Sequence, residues 1–380
     1  MVVAGEVSGD MHAARIVREI KKRAPDVEFS GMGSSRMAKE GVEILVDPLE
    51  ISSIGFSKPL KNFNIHRKHL RILKRRMKSK NPDVILLVDY SGFNMLMARE
   101  AAKLDIPVVS CFPPSAWVWG KWRARWMARY GAVIASVLPM ERDVYRQVGA
   151  EVNFVGHPLL DIIEDKSNKI DNEQISNMLE INKDNKVVGL LPGSRKAEIK
   201  HLLPPMMSAA EMLKRSFPEL QFIIPLADEE HREYVGNIAG QHSLVVKIVK
   251  DLTYEVMDIA DFLVLASGTA ALEAAIKEKP MVITYKTDYT THKLGKFLVK
   301  TDYIGLPNII ARNEILPELV QDEVTAENIC NEVEKMLKRP YLLKTLRDKL
   351  RKIKEQLGKR GATGRIAEIV LNKGEIKYGE

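Results

Sequence analysis

The sequence contains little cysteine and no long hydrophobic run. Only two cysteines, Cys111 and Cys330, occur among its 380 residues. So few cysteines exclude a disulfide framework and a cysteine-based zinc site, and this number fits a protein of the reducing cytosol. No run of about 18 apolar residues occurs, so we expect no membrane-spanning helix. Glu6 and Asp10 lie where a secretory signal would have its apolar core, so we expect no such signal.

Apolar residues are nevertheless abundant enough to build packed cores. Hydrophobic residues make up 45% of the chain and charged residues 28%, which excludes a wholly disordered protein. The length predicts two or three domains of roughly 100–200 residues each. The 58 Lys and Arg outnumber the 50 Asp and Glu, so the net charge is +8 and its distribution needs an explanation.

The positive charge is concentrated in one segment. Residues Ile51–Pro82 contain ten Lys or Arg and no acid, so the rest of the chain carries a net charge of −2. Apolar residues lie between the charges, which predicts a basic amphipathic helix able to lie on an anionic membrane. A solvated charged helix is the open alternative. Phe63 is the single aromatic residue between Lys58 and Lys80, so base stacking is not indicated and we expect no nucleic-acid partner.

All four tryptophans fall within ten residues and have basic residues between them. Indole rings favour the headgroup region of a bilayer, so this cluster extends the predicted membrane-facing surface. Packing of the tryptophans in the core is the alternative. The candidate membrane contacts are Arg71, Arg75, Arg76, Trp117, Trp119, Trp122 and Trp126.

Apolar, strand-like runs alternate with amphipathic helical stretches along the chain. Several runs lack polar alternation, as expected for parallel strands that are covered on both faces. The pattern predicts βαβ units and doubly wound α/β sheets. The predicted strands are Met1–Ala4, Val27–Ser30, Val84–Val88, Val108–Cys111, Val133–Ala135, Val152–Val155, Val187–Leu191, Gln221–Ile224, Val245–Val249, Phe262–Leu265 and Met281–Thr284.

A polar stretch divides this pattern into two halves. Residues 161–184 have little strand character and no Gly or Pro, which favours a linker with a short helix. We therefore expect an N-terminal domain over 1–160 and a second α/β domain over 185–357, with a cleft between them. Glycines interrupt the charged C-terminal helices, so the segment 358–380 could cross back to the first domain. The same charged helices make a homodimer a hypothesis.

Two strand-end loops in the first half carry acidic side chains. Ligands bind outside the carboxyl ends of the strands in open parallel sheets. Glu6, Ser8 and Asp10 follow the first strand, where the acids suit sugar hydroxyls or proton acceptance better than phosphate. Helix capping by Ser8 or Asp10 is the alternative. Asp89 ends another strand and is a candidate general base, although the residues alone slightly favour the alternative, a turn-forming aspartate.

Two loops in the second half combine glycine with groups that can bind anions. Gly193, Ser194 and Arg195 join a strand to a helix, which suits an anion site formed by backbone N–H groups and a guanidinium. An ordinary turn with a surface arginine is the alternative. The second loop offers room for a phosphate at a helix N-terminus and an acid for ribose hydroxyls, or simply a capped helix. Its residues are Ser267, Gly268, Thr269 and Glu273.

Six motifs in order make the chain resemble the lipid-A-disaccharide synthase family, over roughly Met1 to Leu371. The motifs are AGEVSGD at Ala4–Asp10, PSAWVW at Pro114–Trp119, GHPL at Gly156–Leu159, LLPGSRKAEI at Leu190–Ile199, ASGTAALE at Ala266–Glu273 and KTDYIGLPNIIA at Lys300–Ala311. The resemblance implies an inverting glycosyltransferase of the GT-B architecture, with two Rossmann-like domains that face each other across a cleft.

The resemblance also implies the substrates and the location. The implied donor is UDP-2,3-diacylglucosamine and the implied acceptor is 2,3-diacylglucosamine 1-phosphate. Their products would be the β-1,6-linked disaccharide 1-phosphate and UDP, made at the cytosolic face of the bacterial inner membrane. No cofactor or metal is implied, and the sequence contains no Asp-x-Asp motif that would hold a divalent ion. Another GT-B nucleotide-sugar enzyme, such as a transferase for a lipid-linked acceptor or an epimerase, is the alternative function.

Residue roles follow from the same resemblance. Asp89 matches a catalytic residue, with Asp10 or Glu6 as the next candidates for the base. Arg195 matches a ligand of the UDP phosphates, and Asn308 matches a donor-site residue. Ser267, Gly268, Thr269 and Glu273 match the nucleotide-binding turn and helix, and Glu6, Ser8 and Asp10 match the N-terminal cleft loop. Gly92 replaces a second aspartate that relatives often carry after Asp89.

Overall fold

The computed structural model describes residues 1–48, 59–167, 172–288 and 301–376. The chain forms two compact units. The first comprises Met1–Pro158 and Leu357–Glu380, and the second comprises Leu159–Gln356. Each unit has its own parallel sheet, so the predicted doubly wound α/β class is confirmed.

The first unit contains a seven-stranded parallel sheet in the order β3-β2-β1-β4-β5-β6-β7. The strand order reverses between β1 and β4, which places a ligand-binding edge at their carboxyl ends. The strands are β1 Val2–Ala4, β2 Phe29–Met32, β3 Val42–Val46, β4 Ile85–Val88, β5 Val108–Cys111, β6 Val133–Ser136 and β7 Val152–Phe154. The helices are α1 Val7–Arg23, α2 Ser35–Lys39, α3 Pro59–Lys80, α4 Ser91–Ala102, α5 Ala116–Trp119, α6 Trp122–Arg129 and α7 Pro139–Arg146.

The second unit contains a six-stranded parallel sheet in the order β10-β9-β8-β11-β12-β13, which reverses between β8 and β11. The strands are β8 Val187–Leu191, β9 Gln221–Leu226, β10 Lys247–Lys250, β11 Phe262–Ala266, β12 Met281–Tyr285 and β13 Glu318–Val320. The helices are α8 Leu159–Ser167, α9 Asn172–Met178, α10 Lys196–Ser216, α11 Arg232–Ala239, α12 Thr253–Ile259, α13 Thr269–Ile276, α14 Leu306–Ala311, α15 Ala326–Leu337 and α16 Pro340–Gln356.

The C-terminal helix α17, Ala362–Lys373, returns to the first unit and packs against α1. Arg365 fixes the crossing, because its Nε donates to the carbonyl oxygen of Val155 at 2.9 Å. The N–H of His157 donates to the carbonyl oxygen of Leu357 at 2.9 Å. The described part of the segment 358–380 is therefore an integral part of the first unit, and residues 377–380 lie outside the described chain.

Residues 161–184, which the sequence favours as a linker, contribute to two helices of the second unit. The apolar side chains of Ile162, Ile163 and Ile175 are buried. Helix α9 packs against α12, and Lys183 pairs with Glu173 at 2.5 Å. The few isoleucines of this polar stretch are thus enough to attach it to the second unit.

Two strands, β3 and β13, have no counterpart among the predicted strands. Each lies at the edge of its sheet. Edge strands pair on one side only and keep polar or half-exposed residues, so they lack the continuous apolar run that identifies a central strand. Among the residues that the structure describes, no helix is long and apolar enough to cross a membrane.

Candidate functional site

Asp89 occupies a strained turn at the end of β4. Asp89 and Tyr90 both have left-handed backbone conformations, with φ of 56° and 52°. Each such residue costs about 1–3 kcal/mol and persists only where its surroundings hold it. The N–H of Asp89 donates to the carbonyl oxygen of Cys111 at 3.1 Å, and the side-chain amide of Asn94 donates to the Asp89 carbonyl oxygen. The turn therefore presents the Asp89 carboxylate at the carboxyl edge of the sheet.

The loop after β1 reaches the same edge. Because Ala4 pairs with Val88, the residues that follow the two strands lie side by side. Ser8 Oγ donates to Asp89 Oδ2 at 3.2 Å. Glu6 is exposed at the beginning of α1, and its charge together with burial raises the pKa of Tyr90, with burial the larger cause. The structure thus brings Ser8 and Asp89 together and places Glu6 at the same loop.

Asp10 has a structural position rather than an exposed one. Its carboxylate is buried and accepts the N–H groups of Ser34 at 2.7 Å, Arg36 at 3.1 Å and Met37 at 3.3 Å. These are the unpaired donors at the beginning of α2, so Asp10 caps that helix from a distance of more than twenty residues. This bonding occupies both oxygens. Asp10 therefore caps α2 and not the helix α1 that contains it, which differs from the capping alternative that the sequence offers.

Sequence reasoning missed a second buried carboxyl group near Asp89. Glu141 is buried after β6 and accepts the N–H groups of Val137 at 3.0 Å and Leu138 at 3.2 Å. Burial raises the pKa of Glu141 to about 7, and the charge of Asp89 adds to that rise. In the sequence, Glu141 is visible only as the third residue of a helix that begins with proline. Ordinary helix capping produces the same pattern, so the sequence does not indicate a buried acid there.

Two buried imidazoles lie at the same end of the first unit. The His12 and Phe112 rings are 4.5 Å apart, and the Phe112 and His157 rings are 5.9 Å apart. Burial lowers the pKa of His12 to about 4 and that of His157 to about 3. Both histidines are therefore neutral in the folded protein at neutral pH.

The second unit has a cavity of about 590 Å³ at the reversal point of its sheet. The loops after β8 and β11 form its walls, so the two predicted anion loops meet in one place. The polar lining residues include Ser194, Arg195, Tyr254, Ser267, Thr269 and Glu273.

In the first of these loops, a side chain of the following helix already accepts the backbone N–H groups. Glu198 Oε2 accepts the N–H groups of Ser194 at 3.0 Å and Arg195 at 3.2 Å. Gly193 has a φ of 107°, and a β-carbon there would lie 2.3 Å from Glu198 Oε2. The N–H groups expected to bind an anion are therefore satisfied internally. The Arg195 side chain is 81% exposed, with its Nη1 3.8 Å from Glu198 Oε1, so the guanidinium is the group that this loop offers to a ligand.

The second loop places its helix N-terminus at the cavity, which Gly268, Thr269 and Ala270 line. Helix α13 follows Gly268, which has no side chain to cap it. Two hydrogen bonds fix the position of Ser267. Its N–H donates to the Thr284 carbonyl oxygen at 2.8 Å, and its Oγ donates to the Ile304 carbonyl oxygen at 3.1 Å. The positive end of the α13 dipole therefore faces the cavity, where an anion would be stabilised.

Glu273 lies one turn into α13 and lines the same cavity. Tyr254 donates its hydroxyl to Glu273 Oε1 at 2.7 Å and so helps to orient the carboxylate. The role of Glu273 as an acceptor of ribose hydroxyls stays a prediction.

The Asn308 side chain is bonded within the segment that contains it. Its side chain is fully buried and satisfies all four hydrogen-bonding positions. Nδ2 donates to the Leu316 carbonyl oxygen and to Glu318 Oε1, both at 2.8 Å. Oδ1 accepts the N–H groups of Ile315 at 2.9 Å and Leu316 at 3.0 Å. In this structure Asn308 shapes the 301–318 segment and does not present its amide to a ligand.

The basic helix α3 packs part of its apolar side against the first unit. Leu73 and Met77 are fully buried there, whereas Leu70 and Ile72 are half-buried. Arg71 and Arg75 are exposed, whereas Arg76 is bound to Glu43. Leu73 and Met77 are therefore part of the protein core, and the membrane contact of α3 stays a prediction.

The tryptophans divide into buried and exposed ones. Trp122 and Trp126 are 50% and 40% exposed, with Arg123 and Arg129 over their rings at 5.2 and 5.5 Å. Trp117 is partly buried, with its Nε1 enclosed. The Trp119 side chain lies outside the described part of the structure.

The family model described as lipid-A-disaccharide synthetase matches residues 1–370. The chain belongs to the lipid-A-disaccharide synthase family. It is 36% identical over 371 residues to the lipid-A-disaccharide synthase of Geobacter sulfurreducens, covering 98% of this chain and 96% of that protein. The Nitrosococcus oceani enzyme is 37% identical over 370 residues, with 97% and 95% covered. The family resemblance is thus confirmed, and the chain is a glycosyltransferase of lipid A biosynthesis.

Solved structures place this family member in the GT-B fold. The UDP-GlcNAc 2-epimerase of Neisseria meningitidis has a TM-score of 0.66 at 14% identity, covering 98% of both chains. A calicheamicin glycosyltransferase has a TM-score of 0.63 at 13% identity, covering 98% of this chain and 96% of that one. At these identities the likeness concerns the fold alone, and the predicted GT-B architecture is confirmed.

Proposed function

We propose that the chain transfers the diacylglucosaminyl group of UDP-2,3-diacylglucosamine to the 6-hydroxyl of 2,3-diacylglucosamine 1-phosphate. Transfer with inversion would give the β-1,6-linked disaccharide 1-phosphate and UDP. The observation that carries the proposal is the strained Asp89 turn beside Ser8, in a chain of this family. A carboxylate held on a rigid turn at the carboxyl edge of a parallel sheet suits removal of a hydroxyl proton.

In this proposal Asp89 is the general base. The bond from acceptor O6 to donor C1 forms while the bond from C1 to the diphosphate oxygen breaks, and the O6 proton passes to Asp89. One positioned carboxylate contributes about 10²–10⁴-fold to such a step. Ser8 supports the assignment because its hydroxyl orients one carboxylate oxygen. Glu6 remains the second candidate for the base. Asp10 is disfavoured, because its buried carboxylate already accepts backbone hydrogen bonds.

The second unit binds UDP in this proposal. The N-terminus of α13 at the cavity and the exposed Arg195 guanidinium stabilise the diphosphate as it leaves, and Glu273 accepts hydrogen bonds from the ribose. Preorganised positive groups at a developing negative charge are often the largest single contribution to catalysis. Gly193 and Ser194 support this site through the backbone geometry that Glu198 stabilises.

We also propose that the first unit docks on the anionic inner face of the bacterial inner membrane from the cytoplasm. Exposed Arg71 and Arg75 supply charge, and the half-exposed Trp122 and Trp126 supply amphipathic rings. Diacylated substrates would be reached at such a surface. A homodimer remains a hypothesis, and no nucleic-acid partner is proposed.

Product analysis tests the proposed reaction. The protein is incubated with the donor and the acceptor together, and with each alone, and the products are identified by mass spectrometry while UDP release is followed. The expected result is a disaccharide 1-phosphate and one UDP per linkage, only when both substrates are present. Release of UDP without a disaccharide, or an altered donor sugar with no acceptor required, would instead indicate a hydrolase or an epimerase.

A further inference from the structure

Tyr90 lies directly against the loop after β1. A β-carbon added at Gly5 would be 2.0 Å from Tyr90 Cδ1, so the ring lies against the glycine backbone. Glycine is required at position 5 because any side chain would displace this ring. Tyr90 also follows Asp89 in the strained turn, and its N–H donates to Asp89 Oδ1 at 2.9 Å. The position of the Tyr90 ring therefore affects the orientation of Asp89.

His66 of helix α3 also contacts Tyr90. The His66 Nε2 is hydrogen bonded to the Tyr90 hydroxyl, and the two rings are stacked with centroids 5.9 Å apart. Phe93 packs beside both, with its ring 5.7 Å from Tyr90 and 6.1 Å from His66. The half-buried Tyr90 thus contacts both the Gly5 backbone and an aromatic pair.

The helix that carries His66 is firmly attached to the first unit. Two and three turns after His66, Leu73 and Met77 are fully buried in the core. Lys74 is bound to Glu100 of α4, and Arg76 is bound to Glu43 of β3. Because a helix is stiff over this length, the buried half of α3 determines where His66 meets Tyr90.

We propose that Tyr90 and His66 are positioning residues that hold Asp89 in its left-handed conformation for proton abstraction. Two consecutive left-handed non-glycine residues are unfavourable and need support from their surroundings. The hydrogen bond to His66 and the contact with Gly5 supply that support from outside the turn. This inference rests on the proposed role of Asp89 as the base.

Removing single groups from the pair tests the inference. Tyr90→Phe deletes only the hydroxyl, His66→Ala deletes the ring, and His66→Gln keeps a hydrogen-bonding group. We expect Tyr90→Phe and His66→Ala to lower kcat about tenfold or more, because misplacement by about 1 Å can cost about 100-fold. The Kd for UDP should not change, and His66→Gln should recover most of kcat. The double variant should be no slower than the slower single variant, since both break one interaction.

The exposed Tyr341 in the second unit provides a matched control, and Tyr341→Phe should keep the parental kcat. A parental kcat in Tyr90→Phe overturns the inference, and so does a loss that follows a lowered free energy of unfolding in urea. If His66→Ala does not fold, Tyr90→Phe alone decides. Failure of the proposed function appears differently, as a parental protein that makes no disaccharide.

Discussion

Ser8 donates a hydrogen bond from its Oγ to Asp89 Oδ2 at 3.2 Å, although 81 positions separate them in the chain. Parallel pairing of β1 with β4 brings their two loops to one edge of the sheet. Taken alone, Ser8 could be a helix cap and Asp89 a turn-forming residue. Their contact makes them one group that is suited to proton transfer.

Replacing Asp89 with Asn should lower kcat by about 10²–10⁴-fold, because the amide cannot accept the O6 proton. The Kd for UDP should stay at its parental value, since the residues proposed for UDP binding belong to the second unit. Ser8→Ala should cause a smaller loss, as it removes only an orienting bond. Steady-state kinetics and calorimetric UDP titration measure both effects. Near-parental turnover by Asp89→Asn contradicts the base assignment.

Arg195 and Glu198 should affect UDP binding in opposite directions. Arg195→Ala should raise the Kd for UDP about ten- to hundredfold, because it removes a charged hydrogen-bond donor. Glu198→Gln should lower that Kd by up to about fivefold, since the amide oxygen still caps the loop while the competing charge is lost. Glu314→Gln, at an exposed acid of the same unit, is the control and should change little. Weaker UDP binding by Glu198→Gln would show that the carboxylate helps the site.

Asn308→Ala should act on stability before it acts on substrate contacts. The variant leaves buried partners of four hydrogen bonds unpaired, and we expect a loss of about 2–4 kcal/mol in the free energy of unfolding. Urea unfolding followed by circular dichroism measures it. Asn313 is exposed and serves as a matched control, so Asn313→Ala should be nearly neutral. If Asn308→Ala keeps the parental stability but raises the KM for the donor, the stability prediction is wrong and Asn308 contacts the donor directly.

Acid should destabilise the protein through its buried histidines. With pKa values of about 4 for His12 and about 3 for His157, both stay neutral when folded but gain protons when unfolded below about pH 6.5. Their stabilising effect is complete above pH 6.5 and is lost as the pH falls. Glu141 acts oppositely, because with a pKa of about 7 it keeps its proton when folded while the unfolded carboxyl ionises above about pH 4.5.

Between about pH 4.5 and 6.5, the unfolded chain binds two protons at these groups, one on each histidine. The folded protein binds one, on Glu141, so the unfolded state binds one proton more. The free energy of unfolding should therefore rise by about 1.4 kcal/mol per pH unit, and by about twice that in Glu141→Gln, which cannot ionise. Urea unfolding at pH 5 and pH 6 provides the two slopes. Equal slopes in the two proteins would mean that Glu141 is ionised in the folded state.

Membrane docking should depend on exposed charge rather than on the whole basic helix. Arg71→Gln with Arg75→Gln should weaken binding to vesicles rich in anionic lipid, at about 1 kcal/mol or fivefold per charge. Trp122→Ala should weaken it further through the lost ring. Arg76→Gln is the contrasting variant, because its guanidinium is bound to Glu43. Co-sedimentation with anionic and zwitterionic vesicles measures these effects, and unchanged binding by the Arg71, Arg75 variant argues against docking through α3.

The sequence by itself determined the fold class, the family and the loops where we predict the site. Central strands such as β4 and β11 are continuous apolar runs, and the residues after them can be read directly from the chain. Asp89, Arg195, Ser267 and Glu273 are predicted in this way, because the ends of parallel strands share one edge of a sheet.

Only the tertiary structure decided what several of these residues do, because their partners come from distant elements. Asp10 caps a helix that begins 25 residues later, and the Asn308 amide donates to Glu318 of β13, an edge strand that periodicity did not reveal. The same apolar spacing suits a membrane helix and a core helix, and the burial of Leu73 and Met77 places these two side chains of α3 in the core. Periodicity shows that a residue must be covered or bonded, and three-dimensional packing determines by what.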